Sequence, residues 1–226
     1  MEKQHVLTVL KQLRTSLKKR NFSQTLDIIF NLQGIDIKKP DQKLDFYFNL
    51  PHAKGKKTNI CALVDAALAS QTRKIFDTTI SKEEFPKWTN KTKEQKKLAE
   101  EHDYFLAQAD LMTSIAATFG KVLGPKGKMP NPKAGCVIPT TAPLEPLATR
   151  LSTLARIQTK NDLTIKLPLG TEAMTDEQLC DNILAAYNTL LTKLPQEKNN
   201  IRNSLIKFTM SQPLPLEAAK KTEAKK

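Results

Sequence analysis

Residues 120–135 hold Lys121, Lys126, Lys128 and Lys133 with no acidic residue among them. The same stretch holds Gly120, Gly124, Gly127 and Gly135, with Pro125, Pro130 and Pro132 to stiffen it. A rigid loop offering backbone amides and point charges is chemistry suited to phosphate groups. It is not a nucleotide-hydrolysing loop. A Gly-x-x-x-x-Gly-Lys-Ser/Thr motif ending at Gly127-Lys128 needs glycine at position 122, which is Val122, and Met129 stands where the magnesium-binding hydroxyl belongs. No Gly-x-Gly-x-x-Gly occurs either.

A second cluster runs from Arg20 through Asn21, Phe22 and Thr25 to Asp27, mixing a cation, an aromatic ring, hydroxyls and an acid. Thr209-Met210-Ser211 is similarly small and polar. Short hydroxyls and backbone amides of this kind can reach the 2′-hydroxyls and phosphates of RNA. Catalytic constellations are not found. His5, His52 and His102 lack metal-ligand spacing, and Cys61, Cys136 and Cys180 form no Cys-x-x-Cys pair. Glu83-Glu84 and Glu100-Glu101 interleave with lysines, as on a solvated helical face. No metal and no cofactor is expected.

Composition agrees with a polyanion partner. The 226 residues carry a net charge of +13, and residues 1–57 alone hold 12 basic against 5 acidic side chains. Aromatics are only 6%, too few for a broad base-stacking platform. No apolar run is long enough to span a membrane, and the N-terminus lacks the apolar core of a signal peptide.

The elements that must position these residues follow from hydrophobic spacing. Val6, Leu10, Leu13 and Leu17 predict a helix over 3–19, and 25–32 and 44–50 read as strands. Ile60 to Val64 reads as a strand buried on both faces. Helices are expected at 66–70, 82–101, 110–119 and 143–156, with short strands at 74–78 and 104–107. Residues 163–169 alternate as a half-buried strand does. Thr175 and Gln178 have capping-box spacing and open a helix that stops before Pro195. Residues 201–210 give a last strand, and 213–226 a flexible basic tail. The resulting fold class is α/β with two domains. A discontinuous two-layer α/β sandwich with an antiparallel sheet is built from 1–57 and 156–212. A three-layer Rossmann-like α/β domain, 58–155, is inserted into it.

Gly124-Pro125-Lys126-Gly127-Lys128-Met129-Pro130-Asn131-Pro132 closely resembles the signature loop of the ribosomal L-one family. Asn21-Phe22-Ser23-Gln24-Thr25 resembles the N-terminal RNA-binding segment of that family. His102-Asp103-Tyr104-Phe105, Ala107 to Met112, and Met174 to Gln178 look like its archaeal and eukaryotic branch. The resemblance covers nearly the whole chain. It implies a non-catalytic, ribosome-bound cytoplasmic protein that is part of the large ribosomal subunit. Its discontinuous domain would bind large-subunit rRNA at the lateral stalk, and its inserted domain would reach exit-site tRNA. Its own mRNA would be a further target, through which it represses translation.

Carried over, Arg20, Asn21, Phe22, Thr25, Asp27, Lys166, Thr209, Met210 and Ser211 form the rRNA site. Lys121, Gly124, Lys126, Gly127, Lys128, Met129 and Lys133 form the tRNA-facing loop. Two departures stand out. Asp27 replaces the usual glutamate, and Ser211-Gln212 precede Pro213 where the family has Gly-Pro, adding a Cβ where RNA would approach. A free RNA-binding repressor, an enzyme holding a nucleotide in its middle domain, and a ribosome-assembly relative are the competing readings.

Overall fold

A computed structural model of the protein describes residues 2–36, 39, 42–89, 91–139, 143–159 and 162–216. Helix α1 (Lys3–Thr15) buries Val6, Val9, Leu10 and Leu13. It stops four residues short of the expected end. The Ser16 hydroxyl donates to the Leu13 carbonyl at 2.7 Å, closing the last turn, and Lys18 to Arg20 are not buried. Strand β1 (Thr25–Leu32) alternates strictly, with Leu26, Ile28, Phe30 and Leu32 inward. Strand β2 (Asp45–Asn49) follows.

A parallel sheet comes next. It is built from β3 (Ile60–Val64), β4 (Thr78–Ser81), β5 (Tyr104–Gln108) and β6 (Val137–Ile138), in the order β4-β3-β5-β6. Helix α2 (Ala66–Ile75) links β3 to β4. It runs through Lys74 and Ile75, so the strand expected at 74–78 begins only at Thr78. The single helix expected at 82–101 is broken into α3 (Phe85–Trp88) and α4 (Thr92–Glu101). Helix α5 (Met112–Leu123) follows β5 and absorbs Gly120 and Lys121, which the sequence had placed in the loop. Cys61 and Leu63 pack against Phe85, Leu98, Ile115 and Phe119 of these helices, with the Phe85 and Phe119 rings edge-on at 5.8 Å. Ala62 and Val64 point the other way and are equally buried, so β3 is covered on both faces.

Helix α6 (Leu144–Thr153) ends earlier than expected, and the chain turns directly into β7 (Leu154–Gln158). Residues 154–156 fit a helical period because Leu154 repeats Leu147 and Leu151, but tertiary pairing decides. β7 forms an antiparallel ladder with β2, Tyr47 opposite Arg156. The Arg156 guanidinium lies 5.3 Å above the Tyr47 ring and bonds both Asp45 oxygens at 2.8 and 2.9 Å.

Strand β8 (Thr164–Thr171), helix α7 (Asp176–Lys193), β9 (Ile201–Phe208) and β10 (Leu214–Pro215) complete the chain. Helix α7 starts with both halves of the Thr175/Gln178 capping box formed. The antiparallel sheet has the order β10-β9-β1-β8. Its fourth strand is therefore Leu214–Pro215, not the aromatic strand β2. Leu216 is fully buried and its N–H donates to the Ser204 carbonyl at 2.8 Å, so residues 213–216 are ordered structure and not tail. The rest of the expected tail, 217–226, lies outside the described residues. The α/β class holds, with one antiparallel and one parallel sheet of four strands each and the two-stranded β2-β7 ladder among the described residues. By contacts the chain divides into two compact units: Met1–Lys56 with Thr153–Lys226, and Lys57–Ser152.

Candidate nucleic-acid interface

The two sequence clusters meet at one end of the antiparallel sheet. Thr25 opens β1, and Thr209 follows the last residue of β9. The Thr209 N–H donates to the Thr25 carbonyl at 3.0 Å, and the Thr25 N–H donates to the Thr209 hydroxyl at 3.0 Å. The Thr209 hydroxyl therefore ties two strand ends together as well as facing solvent. One residue on, the Met210 N–H donates to Gln24 Oε1 at 3.1 Å. Gln24 is 2% exposed and its own carbonyl accepts from the Glu172 N–H at 2.9 Å. This buried carboxamide is the latch of the region, and sequence reasoning left it out of the site. The available signal was weak: one glutamine in a polar turn.

Phe22 and Met210 are the large apolar side chains left exposed among the described residues, 50% and 60% respectively. Both lie within two residues of a segment held by hydrogen bonds, Phe22 before Gln24 and Met210 through its own N–H, which makes them candidates for a contact surface. Ser211, at the position of the resembled glycine, has its own task. Its hydroxyl accepts from the Phe208 N–H at 2.9 Å and its N–H donates to the Phe208 carbonyl at 3.0 Å. Its φ is not positive, Glu197 being the non-glycine residue in that region among those described. The turn thus does not require glycine here.

Outward-facing positions extend the surface. Asp27 lies opposite Lys207 on β9 and Pro168 on β8, and Lys166 lies opposite Ile29 on the same face. Burial raises the Asp27 pKa from the ordinary carboxylate range, and Lys207 partly offsets it. Lys207 was also missed, although its spacing of two from Thr209 on a strand places it on that face. Arg20 and Asn21 are exposed just before this edge.

In the other unit the loop of lysines is rigid but does not present them all. The Gly127 N–H donates to the Gly124 carbonyl at 2.9 Å, and Gly127 has φ +66°, a left-handed conformation that favours glycine. A Cβ on Gly124 would stand 2.7 Å from the Gly120 carbonyl oxygen. Lys128 turns inward: its Nζ donates to the carbonyls of Ala99 and His102 at 2.8 and 2.7 Å, satisfying the C-terminus of α4. Lys126 pairs with Glu100 at 3.0 Å, and Met129 packs against the core. Lys121 and Lys133 are exposed, and Asn131 Oδ1 accepts from the Lys133 N–H at 2.9 Å. Lys128→Ala is accordingly expected to destabilise the protein by about 1–3 kcal/mol. Lys133→Ala should stay within about 0.5 kcal/mol of wild type. Paired thermal melts check this, and equal melting temperatures would contradict the inward role of Lys128.

The carboxyl ends of β3 and β5, where such sheets hold nucleotides, carry side chains hydrogen-bonded to one another. Asp65 caps α2, and its N–H donates to Gln108 Oε1 at 3.1 Å. Gln108 Nε2 donates to Asp110 at 3.4 Å. Two carboxylates there oppose a phosphate. Burial pushes the Cys61 thiol up to about 12 and that of Cys136 to about 11, so neither is a ready nucleophile. Among the described residues no group of three or more His, Cys, Asp or Glu could hold a metal, and no helix is long and apolar enough to cross a membrane.

Fold and surface together define an α/β protein with an exposed edge that carries both cations and apolar side chains. The profile of the Ribosomal protein L1p/L10e family matches residues 11–212, and the chain belongs to that family. It is 36% identical over 217 residues to the large ribosomal subunit protein uL1 of Methanothermococcus thermolithotrophicus, covering 96% of this chain and all of the relative. It is 36% identical to the protein of the same name from Methanocaldococcus jannaschii, over the full length of both. The Pyrococcus horikoshii protein of that name is 35% identical over 209 residues, 92% of this chain and 94% of its own.

Proposed function

We propose that the protein is a non-catalytic component of the large ribosomal subunit, ribosome-bound in the cytoplasm, that binds large-subunit rRNA at the lateral stalk. The observation that carries the rRNA site is the pair of exposed apolar side chains, Phe22 and Met210, the second with its backbone fixed by the buried Gln24 carboxamide. The unit formed by the two ends of the chain is the rRNA-binding domain. Lysines and arginines attract the phosphates, and Phe22, Thr25, Asp27, Thr209 and Met210 supply the fit to one RNA shape. The unit Lys57–Ser152 is a Rossmann-like domain whose Gly124–Pro132 loop, with the flanking Lys121 and Lys133 above all, meets exit-site tRNA. The same rRNA surface, when free, binds the protein's own mRNA and represses translation. The family match and the uL1 relatives support this reading.

Titration of the purified protein against the stalk fragment of its own rRNA, at two salt concentrations beside an unrelated hairpin, tests it. Nanomolar binding to the stalk alone is expected. The log–log salt slope should be steeper than about −3 if roughly five phosphates are neutralised. Equal, weak binding to both RNAs, erased by salt, would refute the specific site.

A further inference from the structure

A cleft of about 570 Å³ opens beside the recognition edge, between the end of α1 and the turn that follows β9. That volume lies within the roughly 300–1,000 Å³ of small-ligand clefts. It accommodates one nucleotide and is too small for a folded segment. Its lining is specific in character. Gln12, Gln24 and Gln212 contribute carboxamides, each able to donate and accept. Lys18 and Arg20 contribute positive charge, and no acidic residue lines the cleft among those described. The exposed thioether of Met210 supplies an apolar wall that can lie against a planar ring.

One group in the cleft is under-used. Gln24 is 2% exposed, and its Oε1 is well bonded to the Met210 N–H. Its Nε2 reaches only the Lys18 carbonyl, at 3.5 Å, the outer limit of a hydrogen bond. A buried amide nitrogen with so poor a partner has capacity for a further acceptor. Gln12, on the exposed side of α1, makes no side-chain hydrogen bond among the described residues. Donors and acceptors held at fixed positions, an apolar wall and a cationic rim are what an unpaired base on a phosphate backbone requires.

We infer that this cleft receives a single unpaired nucleotide of the bound RNA. Its base edge meets Gln24 and Gln12, its face lies against Met210, and its phosphate lies toward Lys18 and Arg20. The inference rests on the rRNA-binding reading above and adds to it a base-specific subsite. In that reading the edge recognises shape; the cleft would add selection of one unpaired position.

The test places 2-aminopurine at each unpaired nucleotide of the stalk fragment in turn and titrates with wild-type protein. One position should change its fluorescence on binding. Gln12→Trp, which fills the cleft from an exposed helix position, should remove that response and weaken binding about tenfold. Lys166→Ala, outside the cleft, should weaken binding and keep the response. If wild type binds the fragment and no position responds, or if Gln12→Trp leaves the response intact, the cleft is overturned while the rRNA reading stands. If wild type does not bind the fragment at all, the rRNA reading itself fails. A melting temperature of Gln12→Trp equal to that of wild type separates a filled cleft from a poorly folded variant, and the arm with unmodified protein does not depend on it.

Discussion

Asn182→Leu is expected to lower the stability of the protein by about 2–4 kcal/mol. Asn182 is fully buried in α7, where apolar neighbours such as Leu179, Ile183 and Ala186 would suggest a simple core position. Its side chain instead acts as a strand partner would. Oδ1 accepts from the His52 N–H at 3.0 Å, and Nδ2 donates to the carbonyls of His52 and Leu169 at 3.1 and 2.8 Å. One carboxamide thus pins segment 51–52 and the end of β8 to the helix. Leucine fills the same space and takes the side-chain partner from three backbone groups. The Leu169 carbonyl has no access to water, whereas half-buried His52 can be hydrated in part, so the cost should fall short of three full penalties. At about 2–4 °C per kcal/mol, the melting temperature should fall by about 10 °C. Asn182→Asp keeps the acceptor for His52 and loses both donated bonds, so it should also destabilise. If Asn182→Leu melts within about 2 °C of wild type, the backbone here is held by other means.

The sheet positions of β1, β3 and β8 could be read from the chain because their side chains obey one rule over their whole length. β1 alternates with period two and β3 is apolar throughout, and burial follows both patterns. The capping box could be read because both partners lie within one turn. What could not be read was set by distant partners. Leu154–Gln158 is a strand because Asp45–Asn49 lies beside it, more than a hundred residues earlier. Leu214–Pro215 is an edge strand because β9 offers Leu205 and Ile206 to pair with, despite the two prolines that flank Leu214. Local propensity contains neither fact.

The candidate site shows the same division. Phe22, Thr25, Thr209 and Met210 were visible as residue types, and the structure joins the two segments through Thr25–Thr209 hydrogen bonds. Gln24 and Lys207 were not singled out, since a latch is defined only by what it holds. The lysine loop misled in the opposite direction. Four cations without an acid in 16 residues look like one phosphate surface. Yet the acid that pairs with Lys126 and the carbonyls that hold Lys128 come from α4 and its C-terminal end, far outside that window. A charge count along the sequence measures attraction to a polyanion only for side chains that no other part of the fold has claimed.

Gln24→Leu is expected to weaken binding to the rRNA stalk by about ten- to a hundredfold, through Met210 and the lost carboxamide and not through charge. The carboxamide sets the Met210 backbone, accepting its N–H at 3.1 Å, and lies two residues after Phe22. With leucine there, the Met210 N–H loses its acceptor and the exposed residues of the turn at 209–211 lose a fixed point. Association must then order them at an entropic cost. Stability should fall only by about 1–2 kcal/mol, because Met210 is exposed and water can replace the lost partner. The salt dependence separates this from general damage. No phosphate contact has been removed, so the log–log slope should match wild type while the whole line moves to weaker binding. Lys207→Ala gives the opposite pattern. It removes a cation opposite Asp27 on the open face, so its slope should become shallower by about 0.7–0.9, with a smaller loss at high salt. Wild-type affinity in Gln24→Leu would mean that Met210 is held by the strand ends alone, through the Thr25–Thr209 pair, and that the latch serves folding only. A shallower slope in that variant would mean that the edge had come apart and carried its cations with it, since a carboxamide has no charge of its own to lose.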